Sequence, residues 1–144
     1  MKRIALVLAI VLIITSASLL LFACTQKVAD KTYEYYLCKI ETTGISKTVS
    51  DEAFHQAQEV FLNAEITFTS DGKIVRKKDN SETVLGYYVQ QGKGIYVSNT
   101  EDVKTDGDPD ITFSKKPKGR LYWTITTTVM SETVTATITL EEKK

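Results

Sequence analysis

The chain has 144 residues, and its 18 Lys and Arg residues balance 18 Asp and Glu residues. This balance excludes the strongly basic class of nucleic-acid-binding domains, so no nucleic acid partner is expected. Hydrophobic residues make up 42% of the chain, and the length suits a single domain with its own core.

The first residues have the layout of a secretory signal. Lys2 and Arg3 precede an apolar run from Ile4 to Phe22 that only three small hydroxyl residues interrupt. At its end, Leu21-Phe22-Ala23-Cys24 resembles a lipobox, the cleavage and lipidation signal of bacterial lipoproteins, with Phe22 where a smaller residue is more usual. An uncleaved signal anchor is the alternative, because the run approaches the length of a bilayer span.

The resemblance implies that Cys24 becomes the first residue of the mature chain and carries fatty acyl chains such as palmitate. Two or three such chains would hold the protein stably at the extracytoplasmic face of a bacterial membrane. Residues 1–23 are then a signal peptide, residues 24–31 a lipidated cysteine with a polar tether, and residues 32–144 one β domain. The mature part has 16 basic and 18 acidic residues, a net charge of minus two.

Two cysteines in an exported protein would suggest a disulfide, but a lipidated Cys24 leaves Cys38 without a partner. Cys38 alternates with Tyr36 and Ile40 in the first predicted strand, Tyr33 to Glu41, so it is interpreted as a small buried residue. A reactive or dimer-forming thiol is the alternative reading.

One helix is predicted, over roughly Asp51 to Asn63, with Ser50 as its N-cap. Its apolar residues recur at helical spacing and should pack against a sheet. They are Ala53, Phe54, Ala57, Val60, Phe61 and Ala64. His55, the only histidine of the chain, lies off this stripe and is interpreted as a solvated residue.

The remainder of the chain alternates apolar and polar residues between turn signals, which is typical of β-strands. Predicted strands start at Tyr33, Glu65, Ile74, Thr83, Gly94, Asp110, Arg120 and Glu132. About eight strands joined mostly as hairpins favour an antiparallel up-and-down barrel, a mainly β fold with one helix after the first strand. A β-sandwich is the alternative.

A family resemblance lies in the middle of the chain. Phe68-x-x-Asp71-Gly72 and Gly86-x-Tyr88-x-x-x-Gly92-x-x-Ile95-x-Val97, after a first strand and a helix, resemble the lipocalin-like domains of small bacterial lipoproteins. The resemblance covers most of the mature chain. It implies a barrel that holds a small apolar or amphipathic molecule, with a lumen bordered by Tyr36, Phe68, Tyr88, Phe113 and Trp123.

Two charged loops are interpreted as solvated. The stretch from Asn99 to Pro109, with Asp110 beyond it, is rich in carboxylates but does not fit the EF-hand template, so no metal site is expected. The basic turn Lys115 to Arg120 could touch anionic headgroups, although charges around Pro-Gly are also ordinary in a loop.

The last two strands form the clearest predicted hairpin. With Met130-Ser131 as its turn, or a four-residue loop in the same register, Leu121 faces Leu140, Trp123 faces Ile138 and Ile125 faces Ala136. In that register Thr124, Thr126 and Thr128 face Thr137, Thr135 and Thr133. One face is therefore apolar and the other is threonine, as a half-buried antiparallel pair requires.

Three functional classes remain at this point. A binding protein for a small apolar ligand is favoured by the resemblance, and a protein-interaction module, such as an inhibitor or adhesive element acting through its loops and outer face, is the alternative. An enzyme is not expected, because no histidine-centred constellation or phosphate cradle is present, and no cofactor is expected either.

Overall fold

The fold is a barrel of eight strands with one helix inserted after the first strand. The computed structural model describes residues 26–43, 47–113, 119–129 and 131–144, and these form the following elements. They are β1 (Lys31–Thr42), α1 (Lys47–Phe61), β2 (Glu65–Phe68), β3 (Lys73–Lys78), β4 (Ser81–Gln91), β5 (Gly94–Ser98), β6 (Ile111–Phe113), β7 (Leu121–Val129) and β8 (Glu132–Glu142). Each predicted strand start lies within two residues of an observed one. The described helix is not long and apolar enough to cross a bilayer.

The strands pair in sequence order, and β1 pairs with β8 to close the barrel. All neighbouring strands run antiparallel. The predicted up-and-down barrel is thereby confirmed over the β-sandwich. The predicted signal peptide and Cys24 lie outside the described residues, as does most of the basic turn.

The C-terminal hairpin has the predicted register. Trp123 lies opposite Ile138, Ile125 opposite Ala136, and Thr126 opposite Thr135. The pairing continues to Val129 opposite Glu132, so only two residues connect β7 to β8. Alternation of apolar and threonine residues along both strands was enough to fix which residues face inward.

A β-bulge interrupts β1 and corrects one sequence prediction. Tyr35 pairs with Leu140 and Leu37 with Thr139, so Tyr36 is an extra residue in the ladder. The bulge reverses which residues face inward: Tyr33 lies in the core before it, and Cys38 packs against the core after it. The assignment of Tyr36 to the lumen is therefore wrong; its side chain is 46% exposed.

Residues 26–30 cover one end of the barrel. The Gln90 side-chain amide on β4 donates to the Gln26 carbonyl (2.7 Å), while the Gln26 side chain reaches Glu142 on β8 (3.4 Å). Strands β4 and β8 are on opposite sides of an eight-strand barrel. Between these contacts Val28 is fully buried, so the segment closes this end.

The predicted tether is consequently shorter than residues 24–31. The Asp30 N–H donates to the Phe68 carbonyl (2.6 Å), and β1 already begins at Lys31. The folded domain thus starts at or before Val28, because a buried apolar side chain there is part of the core.

Helix α1 runs from Lys47 to Phe61, so it begins four residues before the predicted start and ends two residues before the predicted end. Ser50 therefore lies within the first turn, and its assignment as the N-cap is wrong. The apolar face packs against β1 and β8, as expected of an amphipathic helix on a sheet. The Lys78 ammonium donates to the Glu59 carbonyl (2.7 Å) and links the end of β3 to the helix. His55 is exposed, as predicted.

Two glycines of the middle segment have positions that a larger residue would strain. Gly72 ends the β2 to β3 turn with φ of 82°, in the left-handed region. At Gly86 a Cβ would lie 2.7 Å from the Ser98 carbonyl oxygen, because β5 approaches β4 closely there.

The barrel wall has a lateral gap because β5 and β6 are short. Strand β4 pairs with β5 only from Tyr87 to Gln91, and β7 pairs with β6 only from Leu121 to Trp123. Within the part of the chain that the structure describes, the remaining lengths of β4 and β7 are each paired on one side only. The gap lies near α1 and away from the end that Val28 closes.

Candidate functional site

An apolar cavity of about 310 Å³ lies between α1 and the inner faces of β4, β7 and β8. Its lining residues are Ala53, Gln56, Ala57, Val60, Phe61, Leu85, Trp123, Ile125, Thr127, Val134 and Ala136. Pockets of about 300–1,000 Å³ with predominantly apolar walls are typical of small-molecule sites. This cavity has the size of a small ligand.

Small side chains on facing elements produce the space. Ala53 and Ala57 are one turn apart on α1, and Ala136 lies across from them on β8. Ala57 and Ala136 are both buried although their side chains end at Cβ. Protein interiors are normally packed to the density of organic crystals. Here three alanines face the same space, and their short side chains leave it unfilled.

The floor of the cavity is Trp123. Its ring lies 5.3 Å from that of Phe61, at an interplanar angle of 68°. Beyond it, Phe68 packs edge to face with Tyr33 (5.6 Å) and with Tyr88 (5.1 Å). These aromatic side chains pack against one another in that part of the interior, and the cavity lies between Trp123 and α1.

The cavity is open to solvent and carries no charge. Ile125 lines it and is 42% exposed, which places the mouth at the lateral gap beside β7. Apart from the Trp123 indole, polar side-chain atoms in the lining come from Gln56 and Thr127. An apolar wall with few polar groups at the mouth suits a ligand with an apolar body and a small polar end.

The five residues predicted to border the lumen divide into four groups. Trp123 lines the cavity, whereas Phe68 and Tyr88 are buried in the core beyond it. Phe113 is partly buried and packs against the core without lining the cavity. Tyr36 lies outside, with the Arg120 guanidinium 3.8 Å from its ring centroid.

Sequence reasoning missed most of the cavity wall. The apolar spacing of α1 predicts a face that packs against a sheet but not one that borders a cavity, and no pattern in the sequence marks Leu85. The signal that could have found the site is the presence of alanine, at Ala53, Ala57 and Ala136, where larger core residues are usual.

Cys38 is a free thiol that packs partly buried against the core. Burial raises its pKa, because the thiolate is disfavoured away from water. A raised pKa lowers the thiolate fraction at neutral pH, so the structure favours the small core residue over the reactive thiol.

Among the described residues, no group of three or more His, Cys, Asp and Glu side chains is placed to hold a metal ion. In the acidic loop, the Asp110 carboxylate accepts a hydrogen bond from the Val97 N–H (3.0 Å). That carboxylate therefore has a structural role at the end of β5.

A larger cleft of about 680 Å³ lies at the end closed by residues 26–30, but its walls are mainly charged and polar. They comprise Gln26, Glu34, Tyr35, Gly119, Glu141, Glu142, Lys143 and Lys144. An ion pair between Lys31 and Glu142 (3.0 Å) and another between Lys143 and Glu34 (3.2 Å) occupy this region. With the ion pair between Arg120 and Glu141, each side-chain carboxylate of the cleft is thus paired with a cation, and its polar walls do not suit an apolar ligand.

The Tyr33 hydroxyl is buried without a hydrogen-bond partner among the described residues. Burial, together with the nearby charge of Glu142, raises its pKa. A buried donor without a partner costs about 1–3 kcal/mol. We therefore expect Tyr33→Phe to leave the free energy of unfolding unchanged or to raise it by about 1 kcal/mol.

Tyr88→Phe is the matched control, because the Tyr88 hydroxyl donates to the Thr69 carbonyl (2.8 Å). It should lower the free energy of unfolding by about 1 kcal/mol. Denaturant titration of both variants measures the difference. If Tyr33→Phe proved as destabilising as Tyr88→Phe, the Tyr33 hydroxyl would have a partner after all.

Comparison with protein-family models, with curated proteins and with solved structures found no match to this chain.

Proposed function

We propose that the protein is a lipid-anchored binding protein on the extracytoplasmic face of a bacterial membrane. In this proposal it holds one small apolar or amphipathic molecule in the cavity under α1. The observation that carries it is the apolar cavity of about 310 Å³, which is open to solvent and is bounded by Trp123 and α1. The proposal is one of binding, without a catalytic step or a cofactor.

The physical support is the free energy of apolar burial. Transferring apolar surface from water into such a cavity stabilises the complex by roughly 25 cal/mol per Å². The uncharged lining would disfavour a charged group placed deep inside, since burying an unpaired charge is costly. The polar end of the ligand should therefore remain at the mouth, near Gln56 and Thr127.

The anchor half of the proposal rests on Leu21-Phe22-Ala23-Cys24 and on the resemblance to lipocalin-like domains of small lipoproteins. A barrel with a helix after its first strand is what that resemblance implies. Anchoring and ligand binding are separate claims, because one depends on Cys24 and the other on the cavity.

The binding claim can be read from the single tryptophan of the chain, since Trp123 is the cavity floor. We expect the emission of Trp123 to shift when N-phenyl-1-naphthylamine, an uncharged apolar probe, is titrated into residues 26–144. Ala57→Phe should weaken the binding of this probe at least about tenfold, because the added ring occupies the cavity.

His55→Phe is the matched control: it adds the same ring to the same helix but on an exposed position. It should bind the probe like the unaltered chain. Equal binding by Ala57→Phe and His55→Phe, or no change in Trp123 emission at any probe concentration, would remove the cavity as a binding site.

A further inference from the structure

Among the residues that the structure describes, no strand pairs with one edge of the second half of β7. Beyond Trp123, where pairing with β6 ends, the Thr124 N–H still donates to the Asp110 carbonyl (2.9 Å). Successive backbone groups in an antiparallel strand point to alternate sides, so the N–H and C=O of Thr126 and Thr128 point the same way as the Thr124 N–H. In the described ranges of the chain, no backbone group bonds to Thr126 or Thr128 on that side. We call Thr124–Val129 the free edge.

Natural proteins usually block a free strand edge with proline, charge, a bulge or a covering loop. The free edge has the sequence Thr-Ile-Thr-Thr-Thr-Val, with no proline, glycine or charged residue. Every one of its six residues is β-branched and favours an extended strand. Its pairing with β8 has no register shift, so the edge is not interrupted by a bulge.

The other open edge, on β4, differs from the free edge because it carries a charged residue. It includes Glu82 near its start. A charged side chain on a strand edge disfavours pairing with a second edge, and each copy of the β4 edge carries Glu82. The free edge on β7 has no such charge to repel a copy of itself.

We propose that the free edge is a self-association surface at which β7 of a second copy of this chain adds as an antiparallel strand. Such contacts obey two-fold symmetry, so each copy offers the same donors and acceptors that it requires. With the axis near Thr126, Thr124 lies opposite Thr128 of the partner copy, and Ile125 lies opposite Thr127 of the partner copy.

A second copy would also affect the inward-facing side chains of the free edge. Ile125 is 42% exposed beside the cavity mouth, and the added strand would shield part of its side chain from water. The outward row would extend an existing threonine ladder, in which the Thr126 and Thr135 hydroxyls lie 3.3 Å apart. In strand addition of this kind, backbone hydrogen bonds provide the affinity, and the side chains that alternate along the strand provide the specificity. On the free edge those side chains are uncharged and β-branched.

Cysteine cross-linking of the full-length chain in intact bacterial cells tests the proposal. Directly opposite residues in an antiparallel pair have Cα atoms about 4.5–5.5 Å apart, within the range that a disulfide bridges. We expect Thr126→Cys to form a disulfide-linked dimer on treatment with copper phenanthroline. The matched control is Thr137→Cys, on the same outward face but between β7 and β1, away from any edge.

The dimer fraction should be roughly tenfold greater for Thr126→Cys than for Thr137→Cys, since only the first thiol meets its own copy. Both variants retain Cys24 and Cys38, so any background from those residues is common to them. A Thr128→Lys substitution in the Thr126→Cys chain should return the dimer fraction to the control level, because lysine blocks strand edges. Thr135→Lys, on the neighbouring inner strand, should not.

Three results would overturn the proposal. They are equal cross-linking of Thr126→Cys and Thr137→Cys, an unchanged dimer in the presence of Thr128→Lys, and a cross-link to a protein of different mass. The last would mean that the edge serves another extended chain. If Thr126→Cys accumulates poorly, co-expressed Thr124→Cys and Thr128→Cys chains report the same register.

Discussion

Substitution of Cys24 by alanine should abolish incorporation of a fatty acid analogue into the full-length chain. The thiol of Cys24 is the only group of the predicted lipobox that can carry a diacylglycerol thioether. Without it, processing by the lipoprotein signal peptidase should fail as well, and the precursor should accumulate. Metabolic labelling followed by gel mobility measures both effects.

Cys38→Ala is the internal control, because it removes the only other thiol of the chain. Cys38 packs partly buried against the barrel core, so its loss should leave the label unchanged. Undiminished fatty acid label in the Cys24→Ala chain would disprove the lipid anchor on Cys24. The uncleaved signal anchor would then be the better account of residues 1–23.

The second large effect is expected at the cavity floor. Trp123 is 8% exposed, lies opposite Ile138 and contacts the ring of Phe61. Trp123→Ala should lower the free energy of unfolding by roughly 3–5 kcal/mol, as the deletion of a buried aromatic side chain does. The lower part of that range is favoured, because one side of Trp123 already borders the cavity rather than packed atoms.

Thr126→Ser provides the comparison on the opposite face of the same strand. Thr126 is exposed, and the substitution should cost about 0.5 kcal/mol or less. Denaturant unfolding of residues 26–144 gives both values. Should the two substitutions prove equally mild, the inward and outward faces of β7 would be assigned the wrong way round.

The fold could be predicted where the periodicity of the sequence is simple. In β7 and β8, the alternation of apolar residues with threonine, broken in β7 by Tyr122 and Thr127, favours the register that buries Trp123 and Ile138 together, and the structure has that register. Helix α1 was recognised from its apolar spacing. Its start was misplaced because Ser50 offered an attractive N-cap while the helix continues back to Lys47.

The candidate site was predicted less well, for two physical reasons. A bulge inserts one residue without changing composition, so nothing in the local pattern marked Tyr36 as the residue that leaves the inward face. A cavity arises from what the facing residues lack, and alanines separated by about eighty positions become neighbours only in the folded chain, as Ala57 and Ala136 do.

Val28 was overlooked for a different reason. Val28 and Ala29 are the only apolar residues between Cys24 and Tyr33, and two adjacent residues form no period, so the sequence predicts a polar tether there. Nothing in that pattern indicates the burial of Val28 that the structure shows.

The closure of one barrel end by Val28 has a consequence for how an anchored molecule would be oriented. Cys24 is two residues before Gln26, and two residues span at most about 7 Å. Lipid on Cys24 would therefore hold the end of the barrel that Val28 closes against the headgroups. Helix α1 and the gap beside β7 would then point away from the bilayer. A ligand would then arrive from the aqueous phase rather than by sliding out of the leaflet beneath, and exchange should depend on its solubility or on a carrier that delivers it.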